Sequence, residues 1–125
     1  MKNFNRKILK NIDFISKGKK RFGSISFLER KYVKLMKKYF ETEMSPLSCK
    51  ALNSSCFIEP DGNVYPCIVF NKKIGNLRDF DYNLKDIWKS EYSQNIRILI
   101  KENKCGGCWT PCEAYQSILG NLFRV

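Results

Sequence analysis

At 125 residues and 43% hydrophobic composition, the chain suits one compact domain, or one domain and a tail, around a modest core. No apolar run approaches the roughly 18–20 residues that span a bilayer. The basic N-terminal stretch MKNFNRKILKNIDF lacks the apolar core and small-residue cleavage site of a signal peptide, so a cytoplasmic protein with no membrane partner is expected. Histidine is absent, which excludes mixed cysteine–histidine zinc sites, histidine general bases and Ser-His or Cys-His catalysis.

Phe4, Ile8, Ile12 and Ile15 recur at helical spacing and predict a first helix, interrupted by Gly18 and the KGKKR run. Ser26 and Glu29 form a capping-box pattern that predicts the start of a second helix. On it Phe27, Leu28, Tyr32, Leu35, Met36, Tyr39 and Phe40 make one apolar stripe, with Lys31, Lys34, Lys37 and Lys38 mostly elsewhere. The stripe reads as core packing, but nothing nearby in the sequence is an obvious cover for it, which favours a missing partner or domain. The segment SPLSC breaks the pattern and divides the chain into a basic helical segment, 1–48, and a cysteine module, 49–125. The net charge of +11 is unevenly spread: residues 1–48 hold 13 Lys/Arg against 4 Asp/Glu, and residues 49–125 hold 10 against 8. The basic excess thus lies outside the cysteines. It reads as a solvated face in preference to a nucleic-acid surface.

In the second part, Cys56-Phe-Ile-Glu and Asn63-Val-Tyr-Pro-Cys read as strands joined at Pro60-Asp-Gly-Asn, a strong turn signal. Ile74-Gly-Asn-Leu reads as a further turn. Asn83 and Ser93 are expected to cap two short helices, the first carrying Leu84, Ile87 and Trp88, the second Ile96, Leu99 and Ile100. Thr110, Pro111 and Glu113 predict a last helix with Thr110 as N-cap, Pro111 at its first position and Glu113 completing a capping box, stopped at Gly120. The expected fold class is α+β, a small β-hairpin with short helices around the cysteines, preceded by the helical segment.

The six cysteines stand at positions 49, 56, 67, 105, 108 and 112. In a reducing compartment such a set marks a metal or redox site more often than disulfides. In Cys105-Gly-Gly-Cys108 a two-residue gap lets both sulfurs reach one metal, and the glycines permit tight backbone with N–H groups facing sulfur. Cys67 closes the hairpin and Cys49 precedes it. The predicted ligands are therefore Cys49, Cys67, Cys105 and Cys108. Cys56 reads as a small buried hydrophobe. Cys112, in a first helical turn where the dipole favours a thiolate, is the other reserve candidate. Spacing alone serves tetrahedral zinc as well as an iron–sulfur cluster. Tyr65, Trp88, Trp109 and Tyr115 crowd the module and read as core filling.

Cys49, twelve residues, Gly62, four residues, Cys67, then IGNL, LKDIW and a CxxC resemble the C-terminal auxiliary-cluster domain of radical S-adenosylmethionine enzymes, called SPASM, or twitch in its shortened form. The segment PDGNVYPC-IVF-NKK-IGNL is the most specific part, and the likeness covers about residues 49–115. It implies an auxiliary four-iron–four-sulfur cluster, one in number given six cysteines, on the same four ligands. Some two-cluster members also use a cysteine between the first pair, which keeps Cys56 in play. The resemblance further implies electron transfer or substrate anchoring, a radical S-adenosylmethionine core protein or missing domain as partner, and a peptide or small-molecule substrate. Cys105-x2-Cys108-x3-Cys112 is the reverse of the CxxxCxxC motif that holds the catalytic cluster in those enzymes. That motif occurs nowhere in the chain, so a complete enzyme is not expected. The alternative is a four-cysteine zinc module with a basic nucleic-acid-binding N-terminal segment.

Overall fold

The computed structural model describes residues 2–18 and 23–122, with side chains placed over 6–15 and 23–122. Its helices are α1 (Lys2–Gly18), α2 (Ser24–Thr42), α3 (Leu84–Lys89), α4 (Glu91–Lys101) and α5 (Pro111–Leu122). Strands β1 (Phe57–Ile58), β2 (Asn63–Tyr65) and β3 (Gly75–Asn76) form one antiparallel sheet in the order β1-β2-β3. The fold class is α+β. The chain makes two compact units, residues 1–48 with 107–125, and residues 49–106.

In the first unit α1 and α5 both pack on α2. Leu28, Tyr32, Leu35, Met36 and Tyr39 of the apolar stripe lie against Trp109, Ala114 and Ile118, with Leu47 and Tyr115 alongside. The stripe therefore has a cover, supplied by the last helix of the same chain. Tyr32 and Trp109 stack at 5.9 Å between ring centroids. Each polar tip bonds the other residue's backbone: the Tyr32 hydroxyl donates to the Trp109 carbonyl at 3.2 Å, and the Trp109 indole N–H donates to the Tyr32 carbonyl at 3.1 Å. Burial of such rings is worth about 1.5–3 kcal/mol apiece, and the two bonds remove the penalty their polar tips would otherwise carry. Phe27 is half exposed instead. On α1, Ile12 is buried and Ile15 is exposed, while the side chain of Phe4 lies outside the described residues.

One expected helix start and one expected capping box are corrected here. The N-cap of α2 is Gly23, at φ 140° and with no side-chain bond. Ser26 thus falls inside the first turn, buried, and the Ser26–Glu29 box does not define the start. At α5, Pro111 does take the first position. The Thr110 carbonyl accepts from the N–H groups of Glu113 and Ala114. Glu113 does not reach back, however: its side chain is buried with Oε2 unpartnered among the described residues. Gly120 does not stop α5, which runs on to Leu122.

In the second unit the turn at 59–63 is held by the Gly62 N–H donating to Glu59 O and the Glu59 N–H donating to Asn63 O, both at 2.9 Å. Gly62 sits at φ +91°, as the turn requires. The strands are shorter than the sequence suggests, so neither Cys56 nor Cys67 lies within one. Ile74-Gly-Asn-Leu is not merely a turn: Gly75 and Asn76 pair with Val64 and Asn63 as β3. A 3₁₀ helix, Leu77–Phe80, follows, capped by the Asn76 side chain accepting from the Arg78 N–H. Asn83 caps α3 as expected. The cap of α4 is Ser90 rather than Ser93. Ser93 is fully buried and donates its hydroxyl to the Ile87 carbonyl at 2.6 Å, beside the Ser90 N–H and hydroxyl that donate to the same carbonyl at the end of α3. Ala51, Leu52, Val64, Cys67, Ile74, Ile87, Ile96 and Ile100 form the core of this unit.

Two outcomes follow from these contacts. A Cβ on Gly75 would stand 3.1–3.2 Å from three side-chain atoms of Ile87. Gly75→Ala should therefore cost about 1–3 kcal/mol through overpacking, read as a lower urea midpoint with unchanged slope. Burial pushes the Glu113 carboxyl above its ordinary range. Below that range both folded and unfolded chains hold the proton; as pH rises through the raised folded value, this balance is lost and the native state is penalised. Glu113→Gln should raise the melting temperature of the metal-free protein at pH 7 by about 2–5 °C, with the gain gone in acid.

Candidate metal centre

None of the six cysteines is in a disulfide. Cys49, Cys56, Cys67 and Cys105 all belong to, or pack against, the core of the second unit. Cys67 follows fully buried Pro66 at the end of β2 and is itself 8% exposed. The chain turns directly after it, so that the Phe70 N–H donates to the Cys67 sulfur at 3.2 Å. Cys49 opens a tight loop. Within it the N–H groups of Asn53 and Ser54 both donate to Lys50 O, and the Leu52 N–H donates to Ser55 O. That folding turns the Ala51 N–H onto the Cys49 sulfur at 3.4 Å. Ala51 and Leu52 anchor the loop, both completely buried.

A backbone N–H aimed at sulfur favours the thiolate over the thiol, because the bond is stronger to the charged form. The thiolate is the form that ligates a metal. Among the described residues, Cys49 and Cys67 are the two cysteines with such a donor, from loops that meet the same core.

Cys105 is half-buried just after α4. Gly106 and Gly107 follow at φ +90° and +65°, left-handed backbone that glycine adopts without strain. Cys56 is half-buried, and burial pushes its thiol up, toward the neutral form. Cys108 and Cys112 belong to the first unit, on either side of Thr110. The Cys108 sulfur lies 3.8 Å from the Thr110 hydroxyl oxygen, and the Cys112 thiol donates to it at 3.3 Å. Cys112 is exposed. The nearby Tyr32 hydroxyl is pushed up, first by burial and then by the Tyr115 and Cys112 groups.

Of the predicted ligands, Cys49, Cys67 and Cys105 thus share one core, and Cys108 sits in the other unit. Among the described residues no three Cys, Asp or Glu side chains stand together as a ready metal-holding group. Beside Cys67 a concavity of about 70 Å³ is lined by Phe57, Glu59, Tyr65, Ile68 and Asn71. The Tyr65 hydroxyl there is pushed up, by desolvation first and then by its hydrogen bond to Glu59. Sequence reasoning missed the two N–H donors, since any residue but proline can supply one. It also missed Arg97, whose guanidinium donates to the Leu52 carbonyl in the Cys49 loop.

The cysteine donor set and the N–H groups on sulfur fit an iron–sulfur cluster, whose potential and stability depend on such bonds. No curated protein and no solved structure matches the chain. The family model SPASM, described as an iron–sulfur cluster-binding domain, matches residues 49–112, from the first cysteine to the last and over half of the chain. The chain therefore belongs to the SPASM family of iron–sulfur cluster-binding domains.

Proposed function

We propose that the chain is the auxiliary module of a radical S-adenosylmethionine protein and holds one four-iron–four-sulfur cluster on Cys49, Cys67, Cys105 and Cys108. The observation that carries this reading is the pair of backbone N–H bonds to the Cys49 and Cys67 sulfurs, inside the segment that matches the family. When bound, such a cluster would supply one-electron transfer, or anchor a substrate beside a radical enzyme's active site. The chain's own part is to present thiolates, to stabilise their charge through the N–H groups of Ala51 and Phe70, and to shield Cys67 within the core.

The chain has no CxxxCxxC motif, so S-adenosylmethionine cleavage is assigned to a core protein or domain outside these residues, acting in the cytoplasm on a peptide or small molecule. The apolar stripe of α2 lends this partner no support, because α5 covers it. Exposed Phe14, Ile15 and Ile25, all close in sequence to the α1–α2 connection, do so instead. The zinc reading gains nothing from a family described by its iron–sulfur clusters.

Anaerobic reconstitution tests the proposal. The protein should turn brown and hold about four irons per chain. Alanine at Cys49, Cys67, Cys105 or Cys108 should lower the iron content, while Cys56→Ala leaves it unchanged. Colourless protein holding one zinc would overturn the cluster. Iron lost on Cys112→Ala but kept on Cys108→Ala would redraw the ligand set.

A further inference from the structure

Arg97 lies on α4, one residue after buried Ile96, and its guanidinium spans two separate pieces of backbone. Nε donates to the Leu52 carbonyl at 2.8 Å, and Nη2 donates to the Trp88 carbonyl at 2.7 Å. The plane rests over the Trp88 ring, with its central carbon 5.3 Å from the ring centroid. Both bonds are short and charge-assisted. The Trp88 carbonyl belongs to the last turn of α3, where the helix itself supplies no donor. The Leu52 carbonyl belongs to a residue with no exposed surface at all. Without Arg97 it would be buried with no donor, or the loop would have to turn it outward.

Leu52 also stands at φ +58°. A leucine holds this left-handed conformation only where its surroundings over-determine it. Two things do so here, the full burial of the side chain and the guanidinium on the carbonyl. This same conformation lets the loop close on Lys50 and sets the Ala51 N–H against the Cys49 sulfur.

We propose that Arg97 is the positioning residue for Cys49: it locks the 49–56 loop in the conformation that presents this cysteine as a metal-binding thiolate. The assignment rests on the reading of Cys49 as a ligand. A lysine cannot replace it, since an ammonium lacks the rigid fork that reaches two carbonyls while stacking on an aromatic face.

The test uses the full chain with Arg97→Met and Arg97→Lys, the second retaining the charge and the stem that packs on α4. Cobalt(II) serves as the probe metal for thiolate ligation, and alkylation of each cysteine is followed by peptide mass spectrometry. Both variants should bind cobalt about 10–100-fold more weakly, as loss of a group that orients a ligand does. In the metal-free chain the alkylation rate of Cys49 should depart from wild type while Cys67 keeps its wild-type rate. A purely structural role would raise both rates together through global opening. Unchanged cobalt affinity, or an unchanged ratio of Cys49 to Cys67 labelling, in a variant with wild-type circular dichroism would overturn the proposal. A wild-type protein that takes up no iron would refute the cluster and leave the labelling ratio still decisive for Arg97.

Discussion

A sheet of strands two, three and two residues long cannot hold itself together in water. What holds this one is the seat of Ile87 on the backbone of Gly75. The strand offers no side chain at that point, and Ile87 fills the gap with no surface left exposed. The contact fixes α3 against β3. Through the pairing of Gly75 with Val64 it fixes β2, and through β2 the place where Pro66 and Cys67 leave the sheet. Ser93 of α4 then bonds the Ile87 carbonyl, so the same residue also sets where the next helix begins.

The environment of the thiols follows from this frame. Cys67 obtains its N–H donor because the chain turns as soon as it passes buried Pro66 at the end of β2. Cys49 obtains one because two buried residues and an arginine force its loop into left-handed backbone. The two sulfurs are therefore prepared by unrelated devices, one from sheet topology and one from a side chain that bonds the Leu52 carbonyl from forty-five positions further along the chain. Both devices act through the main chain, so neither leaves a recognisable residue type at the donor position.

That is also the line between what could and could not be read in the sequence. Pro60 to Gly62, Asn83 and Pro111 act within a few residues of themselves, and the turn, the cap and the helix start they predict are present. Where two neighbouring residues could each serve, local pattern failed. Ser90 and Ser93 are equally good caps by type, and the choice falls to Ser90 because Ser93 is drawn into the core by the Ile87 carbonyl. Gly75 and Asn76 have turn chemistry, and only the close approach of Ile87 explains a glycine in a strand. The cover of the α2 stripe lies over seventy positions away, on a helix whose own apolar face is broken by Glu113 and Gln116. At the metal centre the cysteines were legible by type and spacing. The N–H groups and Arg97 were not, since nothing in a lone arginine on an amphipathic helix tells which carbonyl it will meet.

The two tryptophans of the chain fall one in each unit. Trp109 is sealed between helices, its indole N–H bonded to Tyr32, next in sequence to Cys108. Trp88 is half-buried beneath a guanidinium that also holds the Cys49 loop. Two intrinsic fluorophores in such unlike surroundings differ in emission wavelength and in quenching. The chain thus carries a separate optical reporter for each half. Whether the halves melt together or in turn, and which half responds to metal, can be followed in the unlabelled protein.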